Sequence, residues 1–189
     1  MATNESIHRM LEPGKRLDAG RVWEVVELVD GEPRKLARLV ECLWDGDPAV
    51  ANRAADALER LTRESPARAQ KWKEPLLGLL AEAGEKKLRW NLALLIPRLK
   101  LTVPECRRAA EVLRSYLDDK SSIVKTAALH GLADLTRQDP ASLPEVRDLL
   151  RAAGRSGTPA MRARSRILLE KIEKPAKERR ARTSLHMFT

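Results

Sequence analysis

The chain has 189 residues, a length that suits one domain or one continuous array of repeats. Hydrophobic residues make up 43% of it, which is enough for a sizeable core and excludes wholesale disorder. No stretch approaches the roughly 18 apolar residues that a membrane helix needs, so no membrane span is expected.

The net charge is +9, and residues 174–189 hold a large share of it. This C-terminal stretch has five lysines and arginines against Glu178, a surplus of four, so residues 1–173 carry +5. A mildly basic body permits nucleic acid or an acidic protein as a partner but requires neither.

Two features predict a cytoplasmic protein. The first eleven residues lack the basic start and apolar run of a secretory signal. The two cysteines, Cys42 and Cys106, are too few for a disulfide framework or a zinc site and are predicted to be reduced core residues.

Residues 1–32 are predicted to form an N-terminal helical cap. It would contain a short helix near Glu5–Leu11 and a longer one near Gly20–Val29.

Four later segments share one apolar pattern without gaps. Apolar residues recur at i, i+4, i+8 and i+11, which is one face of a helix, and the fourth segment departs from the pattern only at i+4, where Ser165 stands. The first of these positions are spaced by 38, 36 and 37 residues, and chance rarely produces such regularity. The segments are Asp47–Thr62, Glu85–Lys100, Ser121–Thr136 and Thr158–Glu173, and their first positions are Val50, Leu88, Val124 and Met161.

Another amphipathic helix precedes each segment, and a short turn joins the two. Asp47, Ser121 and Thr158 are predicted to cap the second helices, and residues 154–159 to form the last turn. Prolines are predicted to end the second helices, at Pro66, Pro104, Pro140 and Pro175. The preceding helices are predicted at Pro33–Trp44, Ala67–Ala83, Pro104–Asp118 and Pro144–Ala153.

The sequence therefore predicts an all-α fold with no strand. A two-helix unit cannot bury its apolar face alone, so about four units are expected to stack after the cap as a right-handed α-solenoid. The fixed period argues against the alternative, a plain helical bundle. The repeat array spans 33–174, and residues 175–189 form a basic flexible tail; the repeats are 33–66, 67–103, 104–143 and 144–174.

The turns and second helices resemble HEAT repeats of the armadillo-type superfamily. The resemblance is carried by Asp47-Pro48-Ala49-Val50 in the first unit and by Asp118-Asp119 and Val124-Lys125 in the third. It implies a scaffold without catalytic residues, cofactor or metal, which binds a protein on the concave face lined by the second helices. A minority of HEAT-like proteins act on cofactors or DNA, and a DNA glycosylase would need an aspartate such as Asp56 or Asp134 near Trp90.

Three columns of the repeat alignment are mostly basic. The first contains Arg89, Lys125 and Arg162; the second, Arg60, Arg98 and Lys171; the third, Arg63, Arg137 and Lys174. Such columns either face phosphates or an acidic peptide, or pair with turn acids such as Asp118 and Asp119. The sequence leaves both alternatives open.

The second helix of the second unit is apolar nearly all round. Trp90 and Leu94 occupy positions that are otherwise mostly polar or small, so they are either a binding patch or core residues. Pro97 is expected to kink or end this helix. His130 lies one turn before Asp134, as a groove residue or as a satisfied surface pair.

Trp23, Trp44, Trp72 and Tyr116 are predicted to pack in the core or between repeats. The three histidines are interpreted as isolated, without partners at metal-ligand spacing. No phosphate loop, nucleophile elbow or paired-cysteine motif is present, so no enzyme is predicted.

The predicted function is a non-enzymatic scaffold for a protein partner with an acidic or mixed surface. The candidate residues on its concave face are Trp90, Leu94, Arg60, Arg89, Arg98, Lys125, His130 and Arg162. The alternative is a nucleic-acid-binding protein that uses Arg63, Arg137, Lys171 and the tail arginines Arg179, Arg180 and Arg182.

Overall fold

The computed structural model describes residues 6–12 and 20–186, with side chains for 6–12 and 21–173. Across these ranges the chain consists of helices joined by short turns and has no strand, which confirms the predicted all-α class. None of the helices in this part of the chain combines the length and the apolar character needed to cross a membrane.

The helices follow the predicted order, a cap and then alternating first and second helices. Short 3-10 turns extend or precede several of them, including Cys42–Trp44, Pro66–Trp72, Ile96–Arg98 and Tyr116–Asp118. Within the described ranges the α-helices are α1 (Ile7–Leu11), α2 (Gly20–Val29), α3 (Pro33–Glu41), α4 (Pro48–Glu64), α5 (Lys73–Glu82), α6 (Lys86–Leu95), α7 (Val103–Ser115), α8 (Ser122–Leu135), α9 (Leu143–Ser156) and α10 (Pro159–His186).

The chain divides into two compact units, residues 1–100 and residues 101–189. In the first unit, α4 packs against α2, α3 and α6, and its Leu58 is fully buried. In the second unit, α8 packs against α7, α9 and α10, with Leu132 in the core. Each unit therefore has its own set of helix–helix contacts and its own buried leucines.

The predicted apolar columns are buried in three of the four second helices. The first positions, Val50, Leu88 and Val124, are at most 7% exposed. In α10 the corresponding Met161 is only half-buried. The fourth repeat therefore covers its apolar pattern less completely than the other three.

Two of the three predicted helix caps are confirmed. Asp47 Oδ1 accepts a hydrogen bond from the Ala49 N–H at 2.8 Å at the start of α4. Thr158 Oγ1 accepts from the Met161 N–H at 3.4 Å at the start of α10. Both bonds satisfy an N–H group that the first helical turn leaves unpaired.

The prediction that Ser121 caps α8 with its side chain is wrong. Ser121 lies at the N-cap position, but its hydroxyl makes no capping bond. The turn is held instead by Asp119 Oδ1, which accepts from the Ser121 N–H at 2.7 Å. Asp45 Oδ1 accepts from the Asp47 N–H at 2.8 Å in the first repeat, so the two turns share one device.

Two predicted helix ends are also wrong. Helix α9 continues through Gly154 to Ser156, because a glycine costs a helix only about 1 kcal/mol and does not have to end it. The last turn therefore consists of Gly157 and Thr158 alone. Pro175 lies inside α10, which continues to His186. A proline removes one backbone hydrogen bond, and here that loss does not terminate the helix.

The predicted core position is wrong for two of the tryptophans. Trp23 is 55% exposed and Trp44 is 47% exposed, whereas Tyr116 is buried as predicted. Trp44 ends the 3-10 turn after α3, and Trp23 lies on the outer side of α2, where one face of its ring is covered by the Arg60 guanidinium. Trp72 is half-buried.

The remaining predictions for the core are confirmed. Cys42 and Cys106 are both buried and neither forms a disulfide. Pro97 ends α6, whose last α-helical residue is Leu95 and which continues as one 3-10 turn. Helix α6, the apolar second helix of the second predicted repeat, is thereby shorter than the corresponding α4.

Candidate functional site

A groove of about 490 Å³ lies between the N-terminal halves of α4 and α6. This volume falls within the range of ligand-binding clefts. Helix α2 closes one side of the groove with Val22. The residues that line it include Asn52, Arg53, Asp56, Lys86, Trp90 and Asn91.

The exposure of Trp90 follows from the helical period. Leu88 and Leu92 lie four residues apart on α6 and face the core, at 7% and 0% exposure. Trp90 lies midway between them and projects to the other side of the helix, because successive residues are about 100° apart. It is 37% exposed, and Leu94, one turn later, is half-buried.

Two asparagine side chains in the groove lack hydrogen-bond partners. Asn52 Oδ1 is buried and accepts no hydrogen bond. Asn91 is only 4% exposed, and its carboxamide has no partner among the described residues. A buried polar group without a hydrogen bond costs about 1–3 kcal/mol of folding free energy. A ligand that supplies hydrogen-bond donors and acceptors to these two amides would therefore be favoured.

The charges around the groove sum to a small positive value. Four positive side chains lie in or beside the groove, and two carboxylates oppose them, which leaves a net of two positive charges. The positive residues are Arg53, Lys86, Lys87 and the adjacent Arg60, and the carboxylates are those of Asp56 and Glu85. Lys86 and Lys87 are exposed and their ammonium groups have no ion-pair partner in the described part of the chain. A ligand with negative charge is therefore favoured.

Asp56 connects the groove to a second exposed indole. Its Oδ1 accepts a hydrogen bond from Arg60 Nε at 2.7 Å. The same guanidinium lies over the Trp23 ring, 4.4 Å from the centroid, in a cation–π arrangement. Arg60, a predicted binding residue, is thus already paired on both sides.

Arg98 and Arg63, both predicted to bind ligand, converge on one buried carboxylate. Arg98 Nη2 donates to Glu59 Oε1 at 2.6 Å and Arg63 Nη2 to Glu59 Oε2 at 2.7 Å. Burial raises the pKa of Glu59, but the two guanidinium groups outweigh it and hold this pKa below its ordinary value. With 17% of its side chain exposed, Arg98 has little surface left for a partner.

In the second unit, Asp134 is the carboxylate on which several cations converge, as they do on Glu59 in the first unit. Lys171 Nζ donates to its Oδ1 at 2.8 Å, and Arg137 lies 3.7 Å from the same oxygen. His130 Nε2 lies 3.5 Å from Asp134 Oδ2, so the predicted pairing of these two residues is confirmed. These cations therefore face a carboxylate that is only 8% exposed.

The first basic column contacts the turns of its own repeats. Arg89 Nε donates to the Ala83 carbonyl at 2.6 Å, and Arg162 Nη1 donates to the Gly157 carbonyl at 2.8 Å. Both bonds fasten the turn that precedes the second helix. Lys125, the aligned residue of the third repeat, is half-buried on α8.

Comparison of the sequence with protein-family models and with curated proteins found no match in either case. The resemblance to HEAT repeats therefore rests on the sequence pattern and stays a prediction.

The interpretation of His8 as isolated is wrong. His8 Nε2 lies 2.8 Å from Asp45 Oδ2, and Nδ1 lies 3.2 Å from Glu12 Oε1. The Asp47 N–H bond to Asp45 is the main cause that keeps the pKa of Asp45 below its ordinary value. Across residues 6–12 and 20–186, no cluster of three histidine, cysteine or carboxylate side chains is arranged to hold a metal ion.

Of the two aspartates proposed for a glycosylase, only Asp56 lies in the same unit as Trp90. Asp56 shares the groove with Trp90, but its carboxylate is held by Arg60. Asp134 belongs to the second unit and is held by Lys171. The side chains of Arg179, Arg180 and Arg182 lie outside the described ones, so the predicted basic arm is not described either.

Sequence reasoning missed the two asparagines. The chain has only three, and Asn52 and Asn91 fall at adjacent positions of the repeat alignment in consecutive second helices. Amides are scarce elsewhere, so this coincidence was the available signal. A neutral amide belongs to neither a charge pattern nor an aromatic pattern, so the basic columns and Trp90 did not point to it.

Proposed function

We propose that the chain is a non-enzymatic scaffold of HEAT-like repeats that binds another protein through the groove beside Trp90. The observation that carries the proposal is an exposed indole that shares a groove with the amides of Asn52 and Asn91, which have no hydrogen-bond partner among the described residues. Tryptophan is the residue type most enriched at the energetic centres of protein interfaces. A groove formed in advance loses little conformational entropy on binding.

Recurring contacts support the repeat architecture. The Asp45 and Asp119 turns match, and Arg98–Glu59 and Lys171–Asp134 each join second helices of consecutive repeats. Within the two units, α4 packs on α6 and α8 packs on α10. Continued stacking of this kind is the proposed right-handed solenoid.

The ion pairs favour a protein over a nucleic acid as the partner. Arg60, Arg63, Arg98 and Lys171 all face carboxylates at 2.6–2.8 Å. Phosphates would have to compete with those carboxylates for the same guanidinium and ammonium groups. The unpaired thiols of Cys42 and Cys106 support a cytoplasmic location.

Selection of binders from a displayed library of random linear peptides tests the proposed function. The bait is the full chain, and the matched variants are Trp90→Ala in the groove and Trp44→Ala, an exposed tryptophan outside it. We expect peptides that bind the wild type and Trp44→Ala equally and bind Trp90→Ala at least about tenfold more weakly.

Labelled duplex DNA and single-stranded RNA are measured in parallel at two salt concentrations. Tight binding that falls steeply with salt, together with no peptide that distinguishes Trp90→Ala, would replace the proposed function by the nucleic-acid alternative. Circular dichroism of each variant establishes that a loss of binding does not reflect a loss of fold.

A further inference from the structure

The chemistry of the groove identifies the kind of protein segment that fits it, and this inference rests on the proposed function. Asn52 and Asn91 place carboxamides without partners on facing second helices. A carboxamide carries both a donor and an acceptor, which matches the N–H and C=O groups of a peptide main chain.

An extended segment satisfies these amides and a helix does not. The interior N–H and C=O groups of a helix bond to one another and leave nothing for an asparagine. The main-chain groups of an extended segment point outward and are available. The amides therefore select main chain in an extended conformation.

The end of α6 that lines the groove selects for negative charge. Glu85 occupies its N-cap position but makes no side-chain capping bond, so the first N–H groups of the helix stay unmatched. Lys86 and Lys87 occupy this first turn. Unpaired N–H groups, the helix dipole and two ammonium groups together favour a carboxylate at this point.

The geometry points to one occupant. We propose that the groove binds an extended acidic segment of another protein: Asn52 and Asn91 hydrogen-bond its main chain, its carboxylate lies at the N-terminus of α6 beside Lys86 and Lys87, and an apolar side chain packs on Trp90.

The peptides selected on the wild-type chain provide the probe. The strongest binder is synthesised with a fluorescent label, and its affinity is measured by anisotropy for the wild type, Asn91→Leu, Asn52→Leu and the double variant Lys86→Glu with Lys87→Glu. We expect the selected peptides to be rich in Asp and Glu, and each variant to weaken binding about tenfold or more.

Backbone methylation separates main-chain recognition from side-chain recognition. Copies of the peptide carry an N-methyl group at one position each, which removes one N–H donor. At the position that faces Asn91, methylation should weaken binding to the wild type about tenfold and should weaken binding to Asn91→Leu no further. Additive losses at every position would contradict a direct hydrogen bond from the main chain.

The outcomes distinguish the inference from the function on which it rests. Peptides that lose affinity for Trp90→Ala but bind both asparagine variants within twofold of the wild type would overturn the inference and leave the proposed function. Basic peptides that are indifferent to the lysine reversal would overturn it as well. Selection of no peptide at all, with or without nucleic-acid binding, would overturn both.

Discussion

Arg98 donates to both the carboxylate and the backbone carbonyl of Glu59, at 2.6 and 3.0 Å. Glu59 lies in the first repeat and is 1% exposed, whereas Arg98 follows the second helix of the second repeat. The pair therefore ties consecutive repeats together where solvent cannot screen the charges. Arg63, which shares the same carboxylate, is 57% exposed on its side chain.

We expect the two arginines to differ in their contribution to stability. Arg98→Met removes a buried, charged hydrogen bond and should lower the free energy of unfolding by about 2–3 kcal/mol. Arg63→Met removes an exposed partner and should cost less than about 1 kcal/mol. Urea denaturation of both variants checks this order, and equal losses would contradict the role assigned to burial.

Glu59 should make stability depend on pH in a defined direction. Its pKa in the folded chain is below the ordinary value of 4.5, so its contribution is present above pH 4.5 and is lost as the pH falls through the folded pKa. The difference in unfolding free energy between the wild type and Glu59→Gln should therefore be largest near neutral pH and shrink in acid. A difference that grows in acid would have the wrong sign.

The unpaired amide of Asn91 should cost stability in the unliganded chain. Asn91→Leu removes a buried polar group that lacks a partner and should raise the free energy of unfolding by about 1–2 kcal/mol. Thermal denaturation should show a rise of about 2–8 °C for a chain of this size.

Thr126 provides the matched control for this prediction. It aligns with Asn52 in the repeat, but its hydroxyl is satisfied by the Ser122 carbonyl at 2.7 Å. Thr126→Val should therefore lower stability by about 1 kcal/mol. If Asn91→Leu destabilises the chain as Thr126→Val does, the amide is engaged in the unliganded protein and the argument for a vacant main-chain site fails.

Both thiols should react slowly in the folded chain. Burial raises the pKa of Cys42 and of Cys106, and nearby carboxylates, among them Asp45 and Asp139, raise them further. Since the thiolate is the reactive form, a disulfide reagent at mildly alkaline pH should label neither cysteine rapidly and should label both in concentrated guanidinium chloride. Rapid labelling of the folded chain would show that these positions open frequently.

The helices were predictable because the apolar period repeats. The positions of Val50, Leu88 and Val124 located the second helices, since one apolar face has to be buried for each helix to form. Helices α4 and α8 begin and end within two residues of the predicted segments, whereas α6 ends five residues early, at Leu95. Pro97 was correctly expected to end α6. Pro175 was not, because sequence alone does not weigh one lost hydrogen bond against the helix on either side of it.

The site was predictable only in part. The all-round apolar pattern of α6 identified Trp90, but composition could not show that Arg98 would be paired by Glu59 from the preceding repeat. Such pairing depends on side chains about 39 residues apart meeting in space. The contact of Arg60 with the exposed Trp23 ring likewise joins two neighbouring helices and could not be predicted from composition.

The buried ion pair and the groove lie at opposite ends of the same two helices. Arg98, in the 3-10 turn after α6, pairs with Glu59 in the C-terminal half of α4, while Asn52 and Trp90 line the opening between the N-terminal halves of the two helices. The ion pair thus holds the two helices together towards one end, and the groove separates them towards the other. Since about two turns of helix separate Glu59 from Asn52, we expect a substitution that breaks the ion pair to change the distance between the two helices at the groove as well, although neither Glu59 nor Arg98 lines it.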